Sequence, residues 1–258
     1  MIAAMAIAAT CLGIETAVAL ADPPQGSPIT PRAKRSYVMC EPFTKEALPK
    51  PTAQSDAHAA ERFKAINMAV RSTSSAIQFF GDSLTEQWDP AVWQKYLAHR
   101  GALNAGVNGD RTENLLWRLQ NGNLDGPSPK LVVLLIGTND VSKNRSAEVI
   151  AEGIRANLKL LHSRYVTSRI LIVGLLPRSH LPSDSRREQI RDVNDLIRQC
   201  ANDKRIFFAD VGGALLKDGG KLPPEISSDG VHLSPLGYAV LSKRLEPELN
   251  RALLGSGP

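Results

Sequence analysis

Residues 131–136 form an uninterrupted apolar run, Leu-Val-Val-Leu-Leu-Ile, and this run constrains the fold more than any other feature of the chain. A strand that is apolar at every position is covered on both faces, which is typical of the middle of a parallel sheet flanked by helices. Apolar runs at 76–80, 170–173 and 205–209 have a similar character, and residues 102–105 are a very short candidate. The sequence therefore predicts about five buried strands.

Helix-like patterns separate these strands. They predict helices at 56–70, 91–97, 112–120, 147–164, 185–201 and 235–254. In the helix at 147–164, one apolar stripe is formed by Val149, Ile150, Ile154, Leu158 and Leu161. Strands that alternate with helices are joined by right-handed crossovers, so we predict an α/β fold, a three-layer αβα sandwich around a mainly parallel sheet of about five strands.

Two segments precede this predicted sandwich. Residues 1–21 are mostly apolar, contain no Lys or Arg, and end in Ala19-Leu20-Ala21, which predicts a signal peptide cleaved before Asp22. Residues 22–55 carry much Pro, Ser and Thr and predict an arm that lies on the domain formed by residues 56–258. We therefore expect a periplasmic or secreted protein with no stable membrane span after leader removal. Because the leader lacks a basic start, a cytoplasmic location stays an alternative.

Charge and cysteine content limit the binding partners. The net charge is +5, but the basic residues are scattered and only residues 31–35 cluster, so we expect solvated charges and no nucleic-acid partner. Without the leader two cysteines remain, Cys40 and Cys200, which either form one disulfide or stay separate thiols. Neither has a histidine at metal-ligand spacing, so we predict no metal site. The sequence leaves open whether the chain forms a homodimer.

Polar residues follow the predicted strands at the positions where open α/β sheets bind ligands. Ser83 follows the strand at 76–80, Gly109 lies in the turn after 102–105, and Asn139 comes after 131–136. Asp229 and His232 precede the last helix, and their three-residue spacing would place both side chains on one side of a helical turn. These are the residue types that acyl transfer needs.

Each residue has a chemical role in such a reaction. A serine hydroxyl is a weak nucleophile until an adjacent base takes its proton, so Ser83 needs His232, and Asp229 can fix the imidazole tautomer. The backbone N–H groups of Ser83 and Gly109 and the Asn139 amide can stabilise an oxyanion. Taken singly, each residue has a plain structural alternative: Ser83 could cap a helix, and Asn139 could bond its own backbone in a turn. No Gly-x-Ser-x-Gly motif is present, which argues against the α/β-hydrolase fold.

In order and content, these blocks resemble the SGNH, or GDSL, hydrolases over roughly residues 56–249. Within that family, residues 104–112 (NAGVNGDRT), 116–122 (LWRLQNG) and 174–178 (GLLPR) look like segments of platelet-activating-factor acetylhydrolase catalytic subunits. The resemblance implies a flavodoxin-like fold and ester hydrolysis without a cofactor. Its implied triad is Ser83, Asp229 and His232, and its implied oxyanion hole is Ser83, Gly109 and Asn139.

The resemblance also implies an acyl pocket formed by Leu84, Thr138 and Val231, in which Val231 is smaller than the leucine expected there. We therefore expect a serine esterase for short acyl groups such as acetyl, carried by a small molecule, a glycan or a lipid. A lysophospholipase or a thioesterase with a longer acyl pocket is an alternative, and a non-catalytic carbohydrate-binding relative is a third. The resembled subunits have no exported leader, so neither their compartment nor their regulatory partner carries over.

Several other polar residues are expected outside the chemistry. Asp82 and Asp140 are expected to cap or brace loops, and Arg178 either lines the mouth of the site or is a solvated charge. The remaining histidines are expected to lie at the surface without partners: His58, His99, His162 and His180.

Overall fold

The computed structural model describes residues 40–254. The predicted signal peptide and residues 22–39 of the predicted arm lie outside the described residues. The described chain contains one sheet of five parallel strands in the order β2-β1-β3-β4-β5. Their bounds are β1 Ile77–Gly81, β2 Ala102–Gly106, β3 Leu131–Leu135, β4 Arg169–Val173 and β5 Ile206–Ala209. The predicted α/β architecture with five parallel strands is confirmed.

Eight α-helices connect or flank these strands within the described residues. They are α1 Ala57–Ser72, α2 Ser83–Glu86, α3 Pro90–Tyr96, α4 Thr112–Gln120, α5 Thr138–Val141, α6 Ala147–Arg164, α7 Ser185–Arg198 and α8 Pro235–Leu254. Short 3-10 helices lie at Ala98–Arg100, Gly212–Leu215 and Asp218–Gly220. The predictions for α4, α6 and α8 match the observed bounds, whereas α7 ends three residues earlier than predicted. The one-turn helices α2 and α5 were not predicted.

The sheet is buried on both faces, as the apolar strands require. Val133, Leu171 and Phe207 are neighbours in register on β3, β4 and β5, and they pack in one core with Leu241 and Leu245 of α8. On the opposite face α4, α6 and α7 pack side by side. Because strand side chains alternate between faces, each strand supplies both layers of the sandwich.

The described part of the arm, residues 40–55, has no regular secondary structure but is tied to the domain. Cys40 and Cys200, 160 positions apart in sequence, form a disulfide in which the Cα atoms are 4.7 Å apart. The Phe43 N–H donates to Glu152 of α6, at 3.1 Å. The pairing that the sequence left open is therefore made in the structure.

The arm leads into α1, whose start follows from a side-chain cap. Asp56 accepts the N–H of Ala59 at 3.0 Å, which satisfies one of the free donors of the first turn. Ile66 and Val70 are buried, and so is Ala59 in the first turn, whereas Ala60 is exposed. Helix α1 therefore packs on the domain through the face that carries Ala59, Ile66 and Val70.

Candidate active site

The turn after β1 presents Ser83 at the start of α2. Asp82 caps this helix by accepting the Leu84 N–H at 2.9 Å. Ser83 is only 5% exposed, so its hydroxyl sits in a partly enclosed site at the carboxyl end of the sheet. A strand that ends directly in a capped helical turn fixes the direction of the first side chain of that turn.

Ser83, His232 and Asp229 form a hydrogen-bonded chain. The Ser83 Oγ lies 3.0 Å from His232 Nε2, and His232 Nδ1 lies 2.7 Å from Asp229 Oδ2. When Nδ1 carries the proton and donates it to the carboxylate, Nε2 is free to accept the hydrogen bond from the serine hydroxyl. The structure thus brings together the three residues that the sequence placed in one triad.

The Asp229–His232 segment is a turn, and the prediction of a helical turn is wrong. Asp229 Oδ1 accepts the N–H groups of Val231 and His232 at 2.8 and 2.7 Å, and Gly230 has a φ of +75°. Partial burial alone would raise the pKa of Asp229, but the hydrogen bond from His232 and the two backbone N–H groups lower it to about 2. The Asp229 carboxylate is therefore ionised at neutral pH.

Helix α8 holds the histidine turn against the serine turn. The Tyr238 hydroxyl donates to the Leu84 carbonyl at 3.2 Å, and Trp88 Nε1 donates to Ser242 Oγ at 3.2 Å. Both bonds are buried, and both join α8 to the segment that carries Ser83. The distance between nucleophile and base is thus set by the packing of a 20-residue helix.

The loop after β2 and the helix α5 meet beside Ser83. Gly109 has a φ of +78°, a left-handed backbone conformation that residues other than glycine rarely adopt. The Asn139 Nδ2 donates to the Asp110 carbonyl at 2.9 Å, so the amide reaches the residue next to Gly109. Within residues 40–254, the N–H groups of Ser83 and Gly109 donate to no protein acceptor. The Asn139 bond therefore joins α5 to the loop that carries Gly109.

Arg118 of α4 is a buried residue that the sequence interpretation missed. Its Nε donates to Asp110 Oδ2 at 2.6 Å, and its Nη2 donates to the Gly81 carbonyl at 2.9 Å. One guanidinium thus joins the strand end before Ser83 to the loop that holds Gly109. Its position three residues after Leu115, on the apolar stripe of α4, was the available signal, because a charge there must be buried.

Asp140 fixes α5 to the start of α4. Its carboxylate accepts the Thr112 N–H at 3.0 Å and the Thr112 hydroxyl at 2.9 Å, and it also pairs with Arg145. Asp140 is fully buried, while its neighbour Asn139 faces the loop after β2. The contacts agree with a bracing role for Asp140.

Asp82 is the least satisfied carboxyl group near the site. It is 1% exposed, and among the described residues its Oδ2 has no hydrogen-bond partner. Burial raises the pKa of Asp82, the Leu84 N–H opposes this shift, and the nearby Asp110 and Asp140 carboxylates add to it, which gives a net pKa of about 7. A neutral carboxyl group therefore caps the helix of Ser83 at acidic pH.

The three residues predicted for the acyl pocket differ in exposure. Leu84 is 2% exposed and packs in the hydrophobic core beside α8, and Thr138 is 4% exposed. Val231 is partly exposed. An acyl pocket formed by these residues stays a prediction. If Leu84 lines that pocket, the same side chain also fills part of the hydrophobic core.

Three other expectations are corrected by the contacts. Arg178 is not a solvated charge: it is 7% exposed, and its Nη1 donates to the Thr138 carbonyl at 3.0 Å and to Ser142 Oγ at 2.8 Å. His58 lies 2.6 Å from Glu86 Oε1. His180 bonds through Nδ1 to the Leu222 carbonyl at 2.9 Å. These partners are distant in sequence, so local patterns could not indicate them.

Within residues 40–254, no group of three or more His, Cys, Asp or Glu side chains could hold a metal ion. No helix of the described part of the chain is long and apolar enough to cross a membrane.

Comparisons with known proteins agree with this geometry. Residues 79–240 match the model of the GDSL-like lipase/acylhydrolase family. The chain is 36% identical over 179 residues to the human (Homo sapiens) platelet-activating factor acetylhydrolase IB subunit alpha1, a match that covers 69% of this chain and 76% of the relative.

Solved structures share the fold. A GDSL-like lipase from Bacteroides thetaiotaomicron superimposes with a TM-score of 0.58 at 22% identity, over 74% of this chain and 97% of that one. An acetylxylan esterase from Geobacillus stearothermophilus has a TM-score of 0.56 at 18% identity, over 70% of this chain and 96% of that one. The family match extends over most of the described domain and includes all four blocks that converge at the site. The chain therefore belongs to the GDSL-like lipase/acylhydrolase family of SGNH hydrolases and is a carboxylic ester hydrolase.

Proposed function

We propose that this protein is a serine esterase that hydrolyses short-chain acyl esters, acetyl esters above all, through an acyl-serine intermediate. The observation that carries the proposal is the aligned chain of Ser83 Oγ, His232 and Asp229, with distances of 3.0 and 2.7 Å between their polar atoms. An alcohol needs such an adjacent base to become a nucleophile at neutral pH.

In the acylation step Ser83 Oγ forms a bond to the acyl carbon while its proton passes to His232 Nε2. The carbonyl oxygen becomes an oxyanion, and His232 then gives the proton to the departing alcohol as the ester C–O bond breaks. Asp229 keeps Nδ1 protonated and stabilises the imidazolium that exists between these two transfers. The product of this half-reaction is the free alcohol and acyl-Ser83.

Deacylation repeats the same transfers with water. His232 Nε2 takes a proton from a water molecule, whose oxygen attacks the acyl carbon, and the proton returns to Ser83 Oγ as the acid leaves. No redox step and no metal activation is needed, so the residues of this chain balance the reaction.

The N–H groups of Ser83 and Gly109 and the Asn139 amide would stabilise the oxyanion in both half-reactions. In support, the two N–H groups have no protein acceptor within residues 40–254, and Asn139 already reaches the Asp110 carbonyl beside Gly109. Removing one such donor typically costs a factor of about 100 to 1000 in kcat. Asn139 is the donor that a substitution can remove without altering the backbone.

The preference for a short acyl group is supported by the relatives. The human relative is named an acetylhydrolase, and one structural neighbour is an acetylxylan esterase. If Val231 lines the acyl pocket, each methylene that fits gains about 0.8 kcal/mol from burial. A methylene too many costs roughly 1–3 kcal/mol in strain. For an octanoyl group the cost of strain should exceed the free energy gained from burial.

The test is a series of chromogenic esters from acetyl to octanoyl, with Ser83→Ala as the inactive reference. We expect kcat/KM for acetyl to butyryl to exceed that for octanoyl by far. Val231→Leu should lower kcat/KM for butyryl more than for acetyl. Leu84→Ala is a poor probe because it also opens a core cavity, which costs about 2–5 kcal/mol of stability. A preference for octanoyl would favour a lysophospholipase or thioesterase instead.

We also propose that the enzyme works in an oxidising compartment, periplasmic or extracellular. The support is the Cys40–Cys200 disulfide together with the predicted leader at residues 1–21. Recovery of the enzyme from the cytoplasm with both thiols free would contradict this location.

A further inference from the structure

The described arm ends at the loop that carries Gly109. The Gln54 Nε2 donates to the Asn108 carbonyl at 3.0 Å and to Asp110 Oδ1 at 2.6 Å. These acceptors stand on either side of Gly109. A single amide group thus bridges the loop across the residue whose N–H is a proposed oxyanion donor.

Gln54 also packs directly against Gly109. A Cβ built on Gly109 would lie 3.1 Å from Gln54 Oε1, so the two residues are in close contact. The side chain of Gln54 is partly buried there. The arm therefore packs against the loop at Gly109 itself.

The loop is held from its other sides by groups of the domain itself. Glu86 Oε2 accepts the Asn108 N–H at 2.5 Å, and Arg118 Nε donates to Asp110 Oδ2. Asn139 Nδ2 also donates to the Asp110 carbonyl. Gln54 adds bonds to the Asn108 carbonyl and Asp110 Oδ1, so without it the loop would lose the bridge across Gly109 but keep these other contacts.

The arm itself is anchored near Gln54. Asn114 Nδ2 of α4 donates to the Thr52 carbonyl at 2.9 Å, and further back Cys40 is bonded to Cys200. Gln54 lies outside residues 79–240, the part that matches the family model. The contact is thus supplied by a segment outside the matched domain.

We infer that Gln54 is a positioning residue that holds the loop 107–110 so that the Gly109 N–H points at the oxyanion. The inference rests on the proposed function of the site. Misplacing a catalytic group by about 1 Å can cost as much as 100-fold in rate. Because Glu86 and Arg118 would still hold the loop, we expect a smaller loss, of about tenfold.

The experiment compares Gln54→Ala and Gln54→Glu with a control in the same arm, Thr52→Ala. The control removes only an exposed hydroxyl that bonds the Lys50 carbonyl at 2.8 Å. Gln54→Ala should lower kcat for an acetyl ester about tenfold, with KM within about twofold. Gln54→Glu should lower kcat further, since its carboxylate would face Asp110. The midpoint of the pH profile should not move, because Gln54 does not touch His232 or Asp229.

Hydrogen exchange supplies a readout that does not need activity. In Gln54→Ala, peptides covering residues 105–112 should exchange faster than in wild type, while those covering residues 229–232 should not change. Unchanged kcat, or unchanged exchange at 105–112, would overturn the positioning role. If wild type and Ser83→Ala were equally inactive on every ester, the proposed function would fail, and exchange alone would then decide whether Gln54 holds the loop.

Discussion

Asp82 should make the protein less stable as the pH rises, and Asp82→Asn should remove that loss. Burial and the neighbouring carboxylates raise the pKa of Asp82 from 3.8 to about 7 in the folded protein. Between these two values the folded state binds a proton that the unfolded state releases, so the free energy of unfolding falls with increasing pH. Above about pH 7 both states are ionised and the effect levels off.

The size of the effect follows from the pKa difference. Well inside that window each pH unit changes the free energy of unfolding by about 1.4 kcal/mol, and the slope falls as the pH nears 7, so the step from pH 5 to pH 7 removes about 2 kcal/mol. Asparagine has the same shape, keeps the oxygen that accepts the Leu84 N–H and carries no charge. We expect Asp82→Asn to lie within about 1 kcal/mol of wild type at pH 5. At pH 8 it should be more stable than wild type by about 2–3 kcal/mol.

Urea unfolding at pH 5 and pH 8 measures this directly for wild type, Asp82→Asn and the neighbouring variant Ser83→Ala. The control removes a hydroxyl without touching a charge, so it should keep the wild-type difference between the two pH values. All three proteins share their other titratable groups, so the effect of those groups largely cancels when the three pH differences are compared. If Asp82→Asn showed the same pH 5 to pH 8 difference as wild type, the buried carboxyl would not carry the raised pKa.

Three further predictions concern the base, the disulfide and the leader. The kcat/KM should rise with pH and then level off, since a general base must be neutral to act and Asp229, with its pKa of about 2, stays ionised throughout. Activity lost to a chelator and restored by metal would contradict a metal-free mechanism. Replacing Cys40 and Cys200 by Ser should lower the free energy of unfolding by roughly 2–5 kcal/mol, measured with urea, because the bond closes a loop of 160 residues. Intact-mass analysis of exported protein should find Asp22 as the first residue, and an unprocessed chain would contradict cleavage.

Local sequence patterns predicted the main strands and helices well, because the burial of one or both faces requires apolar residues at regular spacing. The apolar run at β3 and the apolar stripe of α6 follow from which faces are covered, and the bounds of three helices were predicted correctly. The one-turn helices α2 and α5 carry no such trace, since four residues are too few to show a helical period. Both are held by contacts outside themselves, such as the Asp140 bonds to Thr112.

The sequence predicted which residues form the triad of the candidate site, but not the contacts that hold the loops of the site in place. The chain order of strand ends is enough to bring Ser83 and Asn139 to one edge of the sheet, whereas His232 lies far beyond β5 and just before α8. The contacts of Arg118 and Gln54 join residues 37 and 56 positions apart, and nothing local to either residue marks its partner. The Asp229 turn was misread as helical because Gly230 permits a left-handed backbone that side-chain spacing does not reveal.

The central claim is that Ser83 becomes acylated during turnover. The most direct measurement is mass spectrometry of the enzyme quenched within the first turnovers on an activated acetyl ester, followed by peptide mapping. In the wild-type enzyme we predict one acetyl group on the peptide that contains Ser83. In His232→Ala this acetyl group should form at a much lower rate, and in Ser83→Ala it should be absent. An acetyl group on another residue in wild type, or Ser83→Ala that retains more than about 1% of wild-type turnover, would contradict the account, since loss of a triad nucleophile typically costs far more than 100-fold.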